Sequence, residues 1–201
     1  MTTTLTYFDA RGRAEPIRLV LAYAGVPFED RGLSHEQWAK AKAETPLGQL
    51  PYLVVGDADG ERVIPQTMAI VRHLARANGL DGKDELERVA ADVAAETALD
   101  ARTAHSQLRF SPAWADEAAK AKFAAETVPA HLARLDKLIG DRTWFASSAP
   151  TYADLVAFDT LDRLVGAWPA ILAGSPRLAA FVDRVRALPE LASSLASRRP
   201  G

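Results

Sequence analysis

The chain has 201 residues, 48% of them apolar and 25% charged, with a net charge of −2. That is enough apolar material for one large core or two compact ones, and the interspersed charges leave no basic block for a nucleic acid or an anionic membrane. Cysteine is absent, which excludes disulfides, thiolate metal sites and a protein cysteine nucleophile.

Met1-Thr2-Thr3-Thr4 has no basic n-region followed by an apolar stretch, and no apolar run approaches the ~20 residues that span a bilayer. The expectation is a cytoplasmic protein with no membrane, nucleic-acid or metal partner, and the lack of cysteine fits a reducing compartment.

Thr4 to Phe8, rich in Thr and aromatics, reads as a strand. Pro16 suits a helix first turn, Ile17, Val20, Leu21 and Ala24 follow at helical spacing, and Gly25 is placed to end the helix. Phe28 to Arg31 predicts a second short strand. Ser34 caps a short helix carrying Trp38 and Lys42. Tyr52–Val55 and Arg62–Ile64 predict a hairpin around the turn cluster Gly56-Asp57-Ala58-Asp59-Gly60. Thr67 is expected to cap a helix that buries Ile70, Val71 and Leu74. The order β-α-β-α-β-β-α, with a right-handed strand–helix–strand crossover and a late antiparallel hairpin, is that of an α/β thioredoxin-like domain over residues 1–78.

Residues 79–83, Gly-rich and polar, read as a linker, and residues 84–201 as an all-helical domain. Long helical patterns run from about Asp84 to Phe110 and Asp116 to Ile139, with Pro112 and Gly140 as punctuation. Thr151 opens a further helix, with Asp154 three residues on as the partner of a capping box. Shorter segments cover about Arg177 to Ala187 and Glu190 to Ala196. The alanine bias reads as background composition.

The first strand–helix junction, Tyr7-Phe8-Asp9-Ala10-Arg11-Gly12-Arg13, carries no thiol. Thiol chemistry here needs a thiol brought by a ligand, and Tyr7 is the available polar group. A phenol donating to a thiolate favours the ionised form and lowers the thiol pKa from about 8.5, and Arg13 acts in the same direction. On strand pattern alone, however, Tyr7 reads as a core ring with a wet hydroxyl. Leu47-Gly48-Gln49-Leu50-Pro51 leads into a strand. A cis bond before Pro51 turns the Leu50 backbone outward to pair with a peptide; an ordinary trans proline is the alternative. Gln66-Thr67 opens a helix whose N-terminal amides suit a carboxylate, unless Thr67 only caps its own helix. Trp38 and Lys42, four apart, share a helix face that suits a second carboxylate; otherwise they are a half-buried indole and a solvated amine. Together these features describe a site for a short acidic peptide that carries a thiol.

Leu5-Thr6-Tyr7-Phe8, followed by Arg11-Gly12-Arg13-Ala14-Glu15-Pro16-Ile17-Arg18, resembles the opening of sigma-class cytosolic glutathione S-transferases. Gly48-Gln49-Leu50-Pro51, and Ile70-Val71-Arg72-His73-Leu74 with Gly79-Leu80 and Gly82-Lys83-Asp84 after it, are similar to the pi class. Thr151-Tyr152-Ala153-Asp154 resembles the capping box of that family's helical domain. The resemblance implies glutathione as co-substrate, without a metal, and Tyr7 as the catalytic hydroxyl. It further implies Phe8 beside the bound peptide; Arg13, Trp38 and Lys42 at the glycyl end; Gln49 and the Leu50 backbone before a cis Pro51 at the cysteinyl residue; and Gln66 and Thr67 at the γ-glutamyl end. Asp100 would reach the glutathione of a neighbouring subunit in a homodimer. Thr67 replaces the more usual Ser, Leu47 replaces the aromatic key of pi-like dimers, which favours a flatter, more polar interface, and the hairpin from Gly56 to Pro65 is long. The implied reaction is conjugation of glutathione to a small apolar electrophile, a detoxification activity. Alternatives are a glutathione-dependent isomerase or peroxidase, or a non-catalytic binding protein on the same fold. The electrophile is expected between the Tyr7 loop and the first long helix of the second domain. Phe8, Gln107, Phe110 and the last helix are candidates to line its site, each aromatic being equally a core residue.

Overall fold

The computed structural model describes residues 2–58 and 60–201; Met1 and Asp59, the latter in the expected hairpin turn, lie outside the described residues. The chain packs as two units, Met1–Leu80 with Leu188–Gly201, and Asp81–Ala187. The tail assigned by sequence to the helical domain therefore packs with the first unit.

That unit is built on a four-stranded sheet. Strand β1 (Thr2–Phe8) runs parallel to β2 (Glu29–Leu33) and antiparallel to β3 (Tyr52–Asp57), which forms a hairpin with β4 (Gly60–Pro65). The order β2-β1-β3-β4 is the mixed thioredoxin-like sheet expected. The ladder extends to a Gly60–Asp57 pair, so most of the expected turn cluster belongs to the strands.

Helix α1 (Glu15–Tyr23) makes the crossover from β1 to β2. Pro16 sits in its first turn, where a missing N–H costs nothing, and Ile17, Leu19, Val20 and Leu21 are buried. Gly25 ends it at φ +65°, with Gly25 N–H donating to Ala22 and Val26 N–H to Leu21, a left-handed stop that glycine adopts without a Cβ penalty. Helix α2 (His35–Ala41) opens on a reciprocal capping box: Gln37 N–H donates to Ser34 Oγ at 3.1 Å and Ser34 N–H to Gln37 Oε1 at 2.7 Å. Helix α3 (Thr67–Ala77) buries Ile70, Val71 and Leu74 and packs on α1.

The second unit begins with α4 (Glu85–Arg109), capped by Asp84, whose carboxylate accepts from Glu87 N–H at 3.0 Å. Buried Ala91, Ala94, Ala95, Ala98 and Ala101 form a small-residue stripe on α4, which packs against α6 (Val128–Ile139) and α7 (Tyr152–Ala167). The alanine bias thus follows helix packing as well as composition: small side chains let helix axes approach closely. The helix expected from Asp116 to Ile139 is not uniform. It runs as α5 (Glu117–Lys122), a π-helical segment Phe123–Thr127, and α6. Pro129 has no N–H for the carbonyl four residues back, and a widened turn accommodates that loss. Helix α7 is buried on nearly all sides from Tyr152 to Leu161, and α8 (Pro176–Arg186) packs on it.

Asp154 anchors the start of α7. Its carboxylate accepts from Phe145 N–H (2.9 Å), Thr151 N–H (2.8 Å) and the Thr151 hydroxyl (2.9 Å), all buried. Burial pushes the Asp154 carboxyl pKa up, against the lowering effect of those donors. The chain then returns to the first unit, where a Pro189–Leu191 turn and α9 (Ala192–Ala196) pack on α1.

Candidate functional site

Tyr7 is the penultimate residue of β1, in register with Gly32 of β2, and is half-buried rather than sunk in the core. Its ring meets Phe8 edge-on at 5.4 Å and lies directly on the backbone of Gly12. A Cβ built on Gly12 would stand 2.3 Å from Tyr7 Cε1 and 2.5 Å from its hydroxyl oxygen. Gly12 has φ +38°, so both the close approach and the backbone conformation call for glycine. The hydroxyl faces the loop that follows β1, so the ring is not sunk in the core.

That loop is held from below by Arg18 of α1. Arg18 Nη1 donates to the carbonyls of Ala10 (3.0 Å) and Arg11 (3.2 Å), and Nε donates to Asp30 at 3.0 Å. Arg13 is exposed in the 3₁₀ turn Gly12–Ala14, and its carbonyl accepts from the Thr67 hydroxyl at 3.2 Å. Here the sequence expectation needs correction. Thr67 is the first residue of α3, not its cap; the N-cap is Gln66, at φ +73° and ψ +116°, with no side-chain capping bond. The Thr67 hydroxyl is committed to Arg13. The amides at the start of α3 are therefore without a side-chain cap, an arrangement suited to an anion. A non-glycine residue at φ +73° costs on the order of 1–3 kcal/mol, a strain characteristic of functional positions.

Gln66 Nε2 donates to Gln49 Oε1 at 3.3 Å, which brings those two candidates together. Leu50-Pro51 is cis, and Leu50 stands just ahead of β3. Trp38 is half-buried, edge-on to Phe8 at 6.1 Å, and the Phe8 ring also lies 5.0 Å from His35. This cluster fixes α2 to the end of β1. Lys42 lies one residue past α2, as its C-cap, its N–H donating to Trp38. Its side chain stays solvated and reaches toward Gly48, where a Cβ would lie 4.0 Å from Lys42 Cε.

The structure thus gathers Tyr7, Phe8, Arg13, Trp38, Lys42, Gln49, Leu50, Pro51, Gln66 and Thr67 into the first unit, with contacts joining Tyr7 to Phe8, Phe8 to Trp38, Arg13 to Thr67, and Gln49 to Gln66. Asp100 belongs to the second unit. It is exposed on α4 and lines a cavity of about 630 Å³ with Thr97, Arg134, Lys137, Leu138 and Arg142. His131 feels the same surroundings: burial and then Arg134 lower its pKa, and Asp100 opposes them. Phe110 is 85% exposed, so it is no core residue of its unit, and Gln107 is also exposed. Among the described residues no cluster of His, Asp and Glu is arranged to hold a metal, and no helix is long and apolar enough to cross a membrane.

Sequence reasoning missed Gly12 as the seat of the Tyr7 ring; a glycine between two arginines directly after a strand was the available signal. It also missed His35 and the Thr67–Arg13 bond, which depend on contacts between distant segments.

The first unit thus holds a phenol against Gly12, an α3 N-terminus without a side-chain cap, a backbone segment ahead of Pro51, and exposed Arg13 and Lys42. Residues 3–76 match the family model "Glutathione S-transferase, N-terminal domain", and residues 100–198 match "Glutathione S-transferase, C-terminal domain". The chain is 38% identical to "Glutathione S-transferase P" of Caenorhabditis elegans, over 98% of this chain and 94% of that protein. It is 37% identical to "Hematopoietic prostaglandin D synthase" of Gallus gallus, over 96% and 95%. The sigma-class enzyme of Fasciola hepatica superposes with a TM-score of 0.91 at 30% identity, covering 100% of this chain and 98% of that one. The chain therefore belongs to the glutathione S-transferase family.

Proposed function

We propose that this protein conjugates glutathione to small apolar electrophiles, with Tyr7 as the hydroxyl that activates the thiol. The observation that carries the reading is the contact of the half-exposed Tyr7 ring with Gly12 in the loop that follows β1. Glutathione supplies the nucleophilic sulfur that this cysteine-free chain lacks. The chain's own work is to hold a phenolic O–H donor toward that sulfur. A single preorganised donor contributes ~2–4 kcal/mol to such a step, because it stabilises developing charge without reorganising. Arg13 and Lys42, exposed and cationic, suit the glycyl carboxylate. The open N-terminus of α3 with Gln66 suits the γ-glutamyl carboxylate, and Leu50 before cis Pro51 offers backbone for the cysteinyl residue.

The same reading takes the protein as a cytoplasmic homodimer in which Asp100 serves the partner's site. Its support is an apolar row on α4, Leu86, Val89 and Val93, at helical spacing and exposed although large. A second reading, a glutathione-dependent isomerase, is favoured by the similarity to the chicken prostaglandin synthase. A rate assay of purified protein with glutathione and a panel of aryl halides, enones, hydroperoxides and prostaglandin endoperoxide separates the two. Turnover of halides or enones supports conjugation. Turnover of the endoperoxide alone supports the isomerase. Absence of any glutathione-dependent turnover refutes both.

A further inference from the structure

The tail, residues 188–201, crosses back over the first unit and is held at two ends. Leu191 is fully buried at one end. Between the ends the strap bridges a cavity of about 670 Å³ whose lining includes Leu21, Val26, Phe28, Ser193 and Ser197. The far end is therefore fixed by polar anchors rather than by continuous packing. Arg198 Nε pairs with the buried carboxylate of Glu15 at 2.8 Å. Arg199 Nε donates to Asp30 Oδ2 at 2.7 Å, Nη2 donates to the Asp30 carbonyl at 2.8 Å, and Nη1 donates to Asp9. Pro200 adds a backbone link, its carbonyl accepting from Arg11 N–H at 2.9 Å.

A Cβ on Gly32 would lie 2.5 Å from Arg199 Nη1, so the Arg199 guanidinium lies against β2 at the residue in register with Tyr7. Asp30 is shared between Arg18 below and Arg199 above. The loop from Asp9 to Arg13 is thus clamped from two sides, by Arg18 through the carbonyls of Ala10 and Arg11, and by the tail through Asp9 and Arg11 N–H. This loop carries Gly12, which seats the Tyr7 ring, and Arg13.

We propose that Arg199 is a positioning residue for the Tyr7 site: its guanidinium, laid on Gly32 and forked onto Asp9 and Asp30, fixes the loop that seats Tyr7. The inference rests on the reading of Tyr7 as the thiol-activating hydroxyl. A guanidinium is suited to this role because its planar fork satisfies several acceptors at once, whereas an ammonium holds one at a time.

The test compares wild type, Arg199→Ala and Arg199→Lys by amide hydrogen exchange of residues 8–13, by kcat and KM for glutathione, and by the pH midpoint of glutathione thiolate absorbance. The expected result for Arg199→Ala is faster exchange at residues 8–13 with peptides of residues 85–187 unchanged, about a 10-fold loss in kcat/KM, and a raised thiolate midpoint. Arg199→Lys recovers part of each and supplies the measurement if the alanine variant does not fold. Unchanged exchange at residues 8–13 overturns the clamp. Faster exchange with kcat/KM and thiolate midpoint at wild-type values overturns positioning and leaves Arg199 a structural tether. Failure of wild type to bind glutathione refutes the Tyr7 reading on which the inference stands, an outcome visible before any variant is compared.

Discussion

Replacing Gly12 with alanine tests whether the seat of Tyr7 matters to chemistry. The added methyl would stand 2.3 Å from Tyr7 Cε1 and 2.7 Å from Cζ. Non-bonded carbons settle near 3.5–4.0 Å, so the ring must withdraw by about 1 Å or more. Misplacement by about 1 Å costs on the order of 100-fold in rate. Separately, alanine at φ +38° carries a backbone penalty of about 1 kcal/mol, which lowers Tm by about 2–4 °C in a chain of this size. Gly25→Ala isolates the second effect. Gly25 has φ +65°, but nothing lies within 4 Å of its built Cβ. Steady-state kinetics with glutathione and a reactive aryl halide, together with thermal unfolding, should show a loss of Tm in both variants, larger in Gly12→Ala because of the overlap with the ring, and a collapse of kcat only in Gly12→Ala. Wild-type kcat in Gly12→Ala, or an equal loss in Gly25→Ala, refutes the reasoning.

Asp154→Ala strips three buried donors of their acceptor and should destabilise the protein by about 3 kcal/mol or more in urea unfolding, with Asp154→Asn recovering part of the loss. His105, between Trp114 and Trp168 at 5.7 Å each, has its pKa lowered to about 4 by burial first and then by Arg163, Arg109 and Arg102. The unfolded chain binds this proton below about pH 6.5 and the folded chain does not. Stability from this group is therefore complete above about 6.5 and is lost as pH falls toward about 4, a change of no more than about 3 kcal/mol. His105→Gln should flatten the urea midpoint against pH across that window. Leu86→Glu combined with Val93→Glu places two charges on the exposed apolar row of α4; light scattering should show a dimer for wild type and a monomer for the variant.

The order of elements in the first unit was legible because each carries a local signal: Pro16 in a first turn, Gly25 as a left-handed stop, and Ser34 with Gln37 as a capping box. The buried Asp154 turn was legible for the same reason, as cap and partner lie three residues apart. Thr67 misled because a hydroxyl at a helix start ordinarily caps its own helix; here an acceptor 54 residues away takes it. The φ of Gln66 left no mark on residue type, since glutamine is not a residue that local rules place at positive φ. The return of the tail was hidden because its bonds from Arg199 to Asp9 and Asp30 span 190 and 169 residues. The π-helical turn before Pro129 was within reach of the sequence, but a proline in an amphipathic run reads equally as a first-turn residue.

The proposed chemistry turns on the contact between a phenolic proton and a sulfur that arrives on a ligand. Thiolate absorbance of bound glutathione, titrated with pH on wild type and on Tyr7→Phe, reads that contact directly. The account predicts a midpoint for wild type well below the free-thiol value of about 8.5 and a return toward it in Tyr7→Phe, with glutathione affinity retained. The same depressed midpoint in both proteins would contradict it.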